Sequence, residues 1–162
     1  MIAIDGRAGA GKTTLAQDLT MYLRQNHAVE VIHCDEIYNG WESALGPDLT
    51  ETLSMVLERI TSEREVELPI YDWHKGEFNS VRNFETPEIL IIEGVGSGQR
   101  VVRNVAAITI WLDINPPTGL RRVLERDGYQ IQTQMQKWQV AEDQHFHQER
   151  TRENSDFIFS TG

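Results

Sequence analysis

The sequence predicts an α/β fold in which helices cover both faces of a parallel sheet, and three observations carry that expectation. Apolar runs of strand length recur along the chain, stretches with a 3.6-residue apolar period separate them, and a glycine-rich turn joins the first run to the first helix. The 162 residues are expected to form one domain over 1–162, long enough to bury a core without disulfides or a structural metal.

The first run, Ile2–Asp5, leads directly into Gly6–Thr13, which reads G-R-A-G-A-G-K-T and is a complete G-x-x-x-x-G-K-S/T loop. A helix is predicted from Lys12 to Gln25, with Leu15, Leu19, Tyr22 and Leu23 on one face. Such a loop holds phosphate when a buried strand delivers it, its backbone N–H groups point inward, and the helix behind it adds the positive end of its dipole. Gly6, Ala8, Gly9, Ala10, Gly11, Lys12, Thr13 and Thr14 are therefore the candidate nucleotide site. Backbone amides would take the β-phosphate, Lys12 would bridge the β- and γ-phosphates, the Thr13 hydroxyl would ligate Mg²⁺, and Thr14 adds a second hydroxyl.

Four more strands are expected at Val29–His33, Ile89–Glu93, Ala106–Leu112 and Asp156–Ser160. Helices are expected at Pro47–Ile60, with Leu49, Leu53, Val56, Leu57 and Ile60 as its stripe, at Pro117–Asp127, and at Ile131–Phe146, with Ile131, Met135, Trp138 and Phe146 spaced as core. Parallel sheets of this kind bind ligands beyond the carboxyl ends of their strands, so the segments after each strand carry the candidate chemistry.

Asp35 follows the second strand and is the candidate base for an acceptor hydroxyl, or a holder of Mg²⁺ through water. Tyr38 and Trp41 belong to the same segment as candidate substrate contacts. Glu93 closes the third strand as the candidate Mg²⁺-side acid. Pro69–Gly76 is dense in groups that stack and hydrogen-bond and is read as a recognition loop, with Tyr71, Asp72 and His74 on the substrate. Arg122 and Arg126 lie four apart on one helix face, within reach of a transferring phosphoryl group. Three glycines in Gly94–Gln99 allow close backbone approach to a ligand, and Arg100 or Arg103 would pair an anionic substrate group.

Other chemistry is excluded or set aside. A formal net charge of -10 argues against a nucleic-acid-binding surface. The single Cys34 makes no internal disulfide and is read as packing bulk. With no secretory or membrane-length apolar run, a cytoplasmic setting is expected. His145 and His147 lack the further ligands of a metal site and are read as a polar helix face. The expected partner is a small molecule, with no nucleic acid and no membrane, and the chain itself a monomer or small homo-oligomer. Neither N-K-x-D nor a D-x-x-G acid stands where a GTPase needs it.

These residues resemble the uridine kinase and phosphoribulokinase branch of the phosphate-loop kinases. The resemblance rests on Ile2–Ala16, the acid and tyrosine of Asp35–Tyr38, P-I-Y-D-W-x-x-G at Pro69–Gly76, I-I-E-G at Ile91–Gly94 and L-R-R-V-L-E-R-D at Leu120–Asp127. It implies a P-loop NTPase fold, a three-layer αβα sandwich on a five-stranded parallel sheet of order 2-3-1-4-5, with a short lid around 117–137. It also implies transfer from ATP, with Mg²⁺, to a hydroxyl of a nucleoside-like molecule. Asp35 would be the catalytic carboxylate, Glu93 the Mg²⁺-side acid, Tyr71, Asp72 and His74 the base and ribose contacts, and Arg122 and Arg126 the lid arginines. The hairpin that helps enclose a pyrimidine in that branch has no counterpart in Trp41–Asp48. A nucleoside monophosphate or other small metabolite is the alternative acceptor, and a non-catalytic regulatory ATP-binding protein the alternative of another class.

Overall fold

The computed structural model describes residues 1–62 and 64–162. Five parallel strands form the central sheet: β1 (Ile2–Gly6), β2 (Val29–His33), β5 (Ile89–Glu93), β6 (Ile108–Asp113) and β7 (Phe157–Ser160). Their order is β2-β5-β1-β6-β7, which among the parallel strands alone is the expected 2-3-1-4-5. The strands are largely apolar, and β1 and β5 are buried along most of their length because both sheet faces are covered there, whereas the edge strand β7 is exposed. Alternation sends Ala3, Ile32, Leu90, Ile92 and Trp111 to one core, and Ile4, Ile91 and Leu112 to the other.

Helix α1 (Lys12–Leu23) closes the second core through Ala16, Leu15, Leu19 and Leu23, whereas Tyr22 points outward, 71% exposed, off the expected stripe. Four further helices cover the opposite core: α3 (Pro47–Thr61), α4 (Arg100–Arg103), α5 (Pro116–Asp127) and α6 (Gln132–Glu149), with a short α2 (Gly40–Ser43) before them. Leu49, Leu53, Val56 and Leu57 of α3 are buried as its period predicts. The start of α5 lies one residue earlier than expected because the Asn115 side chain caps it, accepting from Thr118 N at 2.9 Å ahead of two prolines placed where a missing N–H costs nothing.

The main departure from expectation is a β-hairpin, β3 (Val66–Asp72) with β4 (Glu77–Phe84), in place of the recognition loop. Its alternation is masked by Pro69 and by an irregularity between Ile70 and Tyr71, and its exposed strand carries polar residues on both faces. The hairpin reaches the β2 edge of the sheet through Arg82, which donates to Val31 O at 2.9 Å.

The segment after β5 is buried throughout from Gly94 to Gln99, and its glycines approach protein rather than ligand. A Cβ on Gly98 would lie 2.6 Å from Thr151 Cγ2 and 3.1 Å from Asp5 Oδ2. Asp5 itself, 1% exposed, accepts from Gly6 N (2.7 Å), Gly96 N (3.1 Å) and Gly98 N (2.8 Å), locking this segment to the end of β1. Asp5→Ala leaves these amides without an acceptor and is expected to lower the unfolding free energy by about 2–4 kcal/mol. The check is the denaturant midpoint, and an unchanged midpoint would mean that the carboxylate holds nothing that water cannot.

Candidate active site

At the end of β1 the chain turns through Gly6 and Gly9, with φ of +144° and +80°. A Cβ on Gly6 would lie 2.4 Å from Leu112 O, and one on Gly9 would lie 2.4 Å from Gly119 O, so both positions require glycine for space as well as for conformation. Lys12 opens α1 and is 8% exposed. Its Nζ donates to Gly6 O and Arg7 O, each at 2.8 Å, which arches the loop around its own ammonium. The helix has no side-chain cap, so its first N–H groups remain available to an anion. The Ala10 side chain is buried in the core beneath the loop.

Strand register brings the acids and hydroxyls together. His33 and Glu93 are paired positions on β2 and β5, and Glu93 is also paired with Ile4 beside the loop. Glu93 Oε1 accepts from Thr13 Oγ1 at 3.0 Å and lies 2.6 Å from His33 Nδ1. That hydrogen bond raises the His33 imidazole above its usual value against the opposing effect of burial. The position of His33 as the last residue of a buried strand is the only signal in the sequence for this partnership.

A cavity of about 300 Å³ opens in front of the loop. Its lining joins the loop residues Ala8, Gly9, Gly11, Lys12, Thr13 and Thr14 and the acids Asp35 and Glu93 to the aromatic residues Tyr38, Trp41, Trp73 and Trp138, with Val123, Arg126, Asp127, Ile131 and Met135 from the segment after β6. A larger groove of about 530 Å³ between α1 and the β2 edge contains none of the loop residues from Gly6 to Thr14. Asp35 opens to solvent through the cavity, yet the surrounding protein raises its carboxyl above the usual value, the nearby Glu93 adds to this, and His33 and Arg126 oppose it. Arg126 donates from Nε and Nη2 to the two carboxylate oxygens of Asp127, each at 2.7 Å.

Among the residues expected from sequence, Lys12, Thr13, Thr14, Asp35, Glu93, Tyr38, Trp41 and Arg126 meet in this cavity. Tyr38 contributes its ring only, because its hydroxyl donates to Val95 O at 2.7 Å. Arg122 sits behind the loop, donating to Thr161 O at 2.7 Å and Gly9 O at 3.4 Å.

Four expected contacts lie outside the cavity lining. Tyr71 packs edge-on against Trp73 and Phe78, and its hydroxyl lies beneath Gly40. Asp72 is consumed by the hairpin turn, accepting from His74 N (2.9 Å), Lys75 N (3.1 Å) and Asn79 Nδ2 (2.9 Å), and these bonds hold its carboxyl below the usual range. His74 is exposed on that turn. Arg100 is exposed on α4, where its amide donates to Glu149 at 2.6 Å. His145, expected on a polar face, is instead 7% exposed on the inner side of α6.

Trp73 takes the place expected for Tyr71. Its indole N–H donates to Asp35 O at 2.9 Å, which fixes the ring beside the candidate base. Trp138 and Met135, read from sequence as core alone, are both core and cavity wall.

No family model matches the chain. Over 142 residues it is 26% identical to a uridine kinase of Lactobacillus johnsonii, a match covering 78% of this chain and 67% of that protein. A thymidylate kinase of Xanthomonas euvesicatoria pv. vesicatoria is 30% identical over 145 residues, 78% of this chain and 61% of its own length. The fold is shared with a solved structure described as a possible uridine kinase from Bacillus stearothermophilus, at a TM-score of 0.70 and 23% identity over 98% of this chain and 86% of that one. In sequence the chain is thus similar to uridine kinases and to a thymidylate kinase, and in fold, strand order included, it is similar to a solved possible uridine kinase.

Proposed function

We propose that this protein is an ATP- and Mg²⁺-dependent kinase that phosphorylates a hydroxyl of a nucleoside-like small molecule, working in a reducing, cytoplasmic setting. The observation that carries the reading is one cavity whose lining joins a phosphate loop, an aromatic wall and Asp35.

The loop amides and Lys12 bind and align the triphosphate. The oxygen donors of Thr13 and Glu93 suit Mg²⁺, a hard cation. Bound there, Mg²⁺ would neutralise charge on the phosphates. Asp35 orients the acceptor hydroxyl and accepts its proton. Arg126 stabilises charge on the transferring group, and Arg122 braces the loop through Gly9. The 117–137 region serves as the lid. Its Val123, Ile131 and Met135 form the apolar part of the cavity roof and limit hydrolysis by excluding water.

Two observations favour a nucleoside over a nucleoside monophosphate. Arg100, the expected partner for an acceptor phosphate, is not among the lining residues, and the one arginine of the lining, Arg126, is assigned to the transferring group. A regulatory ATP-binding protein would have no use for an aromatic acceptor pocket beside the loop.

Mass-detected transfer from Mg-ATP to a panel of nucleosides and nucleoside monophosphates is the direct test. Asp35→Asn is expected to slow transfer by about 10²-fold or more while Mg-ATP affinity stays within about threefold, and undiminished turnover would remove Asp35 as the base. Mg-ATP binding with no product from any compound would move the assignment to the regulatory class.

Trp73→Ala is expected to raise the KM for the acceptor about tenfold with little change for ATP. Asp72→Ala should leave both constants nearly unchanged and instead speed hydrogen exchange at the His74 and Lys75 amides. The reverse pattern would return Asp72 to the substrate site.

A further inference from the structure

Glu142 on α6 is fully buried, yet no reaction step proposed above uses it. Its Oε1 accepts two hydrogen bonds, from Ala8 N of the phosphate loop and from Trp138 Nε1, each at 2.7 Å. Its Oε2 has no hydrogen-bond partner and lies 3.7 Å from the Arg7 guanidinium, which also pairs with Asp143 and sits 5.8 Å over the Phe146 ring. A buried carboxylate is costly, and an apolar side chain of similar size would pack α6 more cheaply. What an apolar group cannot do is hold a loop amide and an indole N–H on one atom. The Trp138 ring, one helical turn before Glu142, lines the cavity and touches Tyr38 (5.5 Å between centroids) and Trp41 (5.8 Å).

We infer that Glu142 is a positioning residue that couples the phosphate loop to the aromatic acceptor wall, so that phosphate binding at the loop is felt by Trp138. The inference rests on the loop binding Mg-ATP, as proposed above. The coupling runs in both directions: an acceptor packed against Trp138 stabilises the loop geometry that holds the triphosphate, by the same factor as the triphosphate favours the acceptor. Burial pushes the Glu142 carboxyl above its usual range, while the Ala8 N–H and the positive charges of Lys12 and Arg7 oppose this, as does the Trp138 indole N–H.

Fluorine NMR of fluorotryptophan-labelled protein tests this without turnover. The chain has four tryptophans, so Trp138 is identified by the resonance lost in Trp138→Phe. Saturating Mg-ATP is expected to shift the Trp138 resonance in the wild type and in Glu142→Gln, which keeps an acceptor oxygen. In Glu142→Ala the response is expected to be lost while calorimetry still detects Mg-ATP binding. Glu142→Met, which fills the volume without an acceptor, is expected to behave as Glu142→Ala and serves if the smaller residue prevents folding. With uridine as the acceptor probe, the ratio of Mg-ATP affinities with and without it should fall by about fivefold or more in Glu142→Met and be restored in Glu142→Gln. A Trp138 resonance that ignores Mg-ATP in the wild type, or that moves equally in Glu142→Met, overturns the coupling and leaves the kinase assignment standing. Failure of the wild type to bind Mg-ATP overturns both.

Discussion

The site depends on a crowding of main chains. A phosphate loop offers backbone N–H groups rather than side chains, so its supports must approach its own backbone closely. Gly6 lies against the Leu112 carbonyl of β6, and Gly9 meets Gly119 of α5, which in turn could carry no Cβ because Ala8 O would lie 2.6 Å from it. These contacts bring the start of α5 to the loop, and α5 then delivers Val123, Arg126 and Asp127 to the cavity at successive turns of one helix face. A side chain at any of the three glycines would displace the roof of the site along with the loop.

A second constraint acts on the other flank of β1, toward β5. Asp5 gathers the amides of Gly6, Gly96 and Gly98, and Ser97 donates to Ile4 O at 2.8 Å, so the segment after β5 folds inward against β1. This leaves Glu93 at the rim with its carboxylate between Thr13 and His33, and it commits the glycines of that segment to packing. Glycine-rich sequence alone does not distinguish a backbone that approaches a ligand from one that approaches another part of the protein. Here Cys34, Leu49, His145 and Thr151 are what the glycines meet.

The framework was legible from sequence because it is local: apolar runs, a helical period and a loop whose spacing is dictated by phosphate. The residues at the ends of those runs, Lys12, Thr13, Asp35 and Glu93, were legible for the same reason, since strand ends in a parallel sheet converge on one edge. The hairpin was not, because its outer strand is exposed on both faces and gives no binary pattern, while Pro69 interrupts its partner. With the hairpin unseen, Tyr71, Asp72 and His74 were read as a ligand-facing loop, although the turn itself claims the Asp72 carboxylate. Glu142 was illegible for another reason. A polar residue in a helix reads as surface unless its partner is known, and its partner is a backbone amide 134 positions away.

The acceptor end of the cavity shows how hydrogen bonding and stacking are divided. Trp73 gives its N–H to Asp35 O, Trp138 gives its own to Glu142, and the Tyr38 hydroxyl is spent on Val95 O. These three rings are anchored through their polar atoms into the protein, so what they offer a ligand is aromatic surface. The edge-on contacts of Trp41 with Trp73 and Trp138 brace these rings against one another, although α2, the hairpin and α6 supply them from distant parts of the chain. Selection by hydrogen bonds then falls to the charged groups at the boundary between wall and loop, Asp35 and the Arg126–Asp127 pair. A planar, hydroxyl-bearing acceptor would satisfy both halves at once, its ring against the tryptophans and its hydroxyl at Asp35. A second phosphate would meet carboxylates, because the one arginine of the lining, Arg126, is taken by the transferring group.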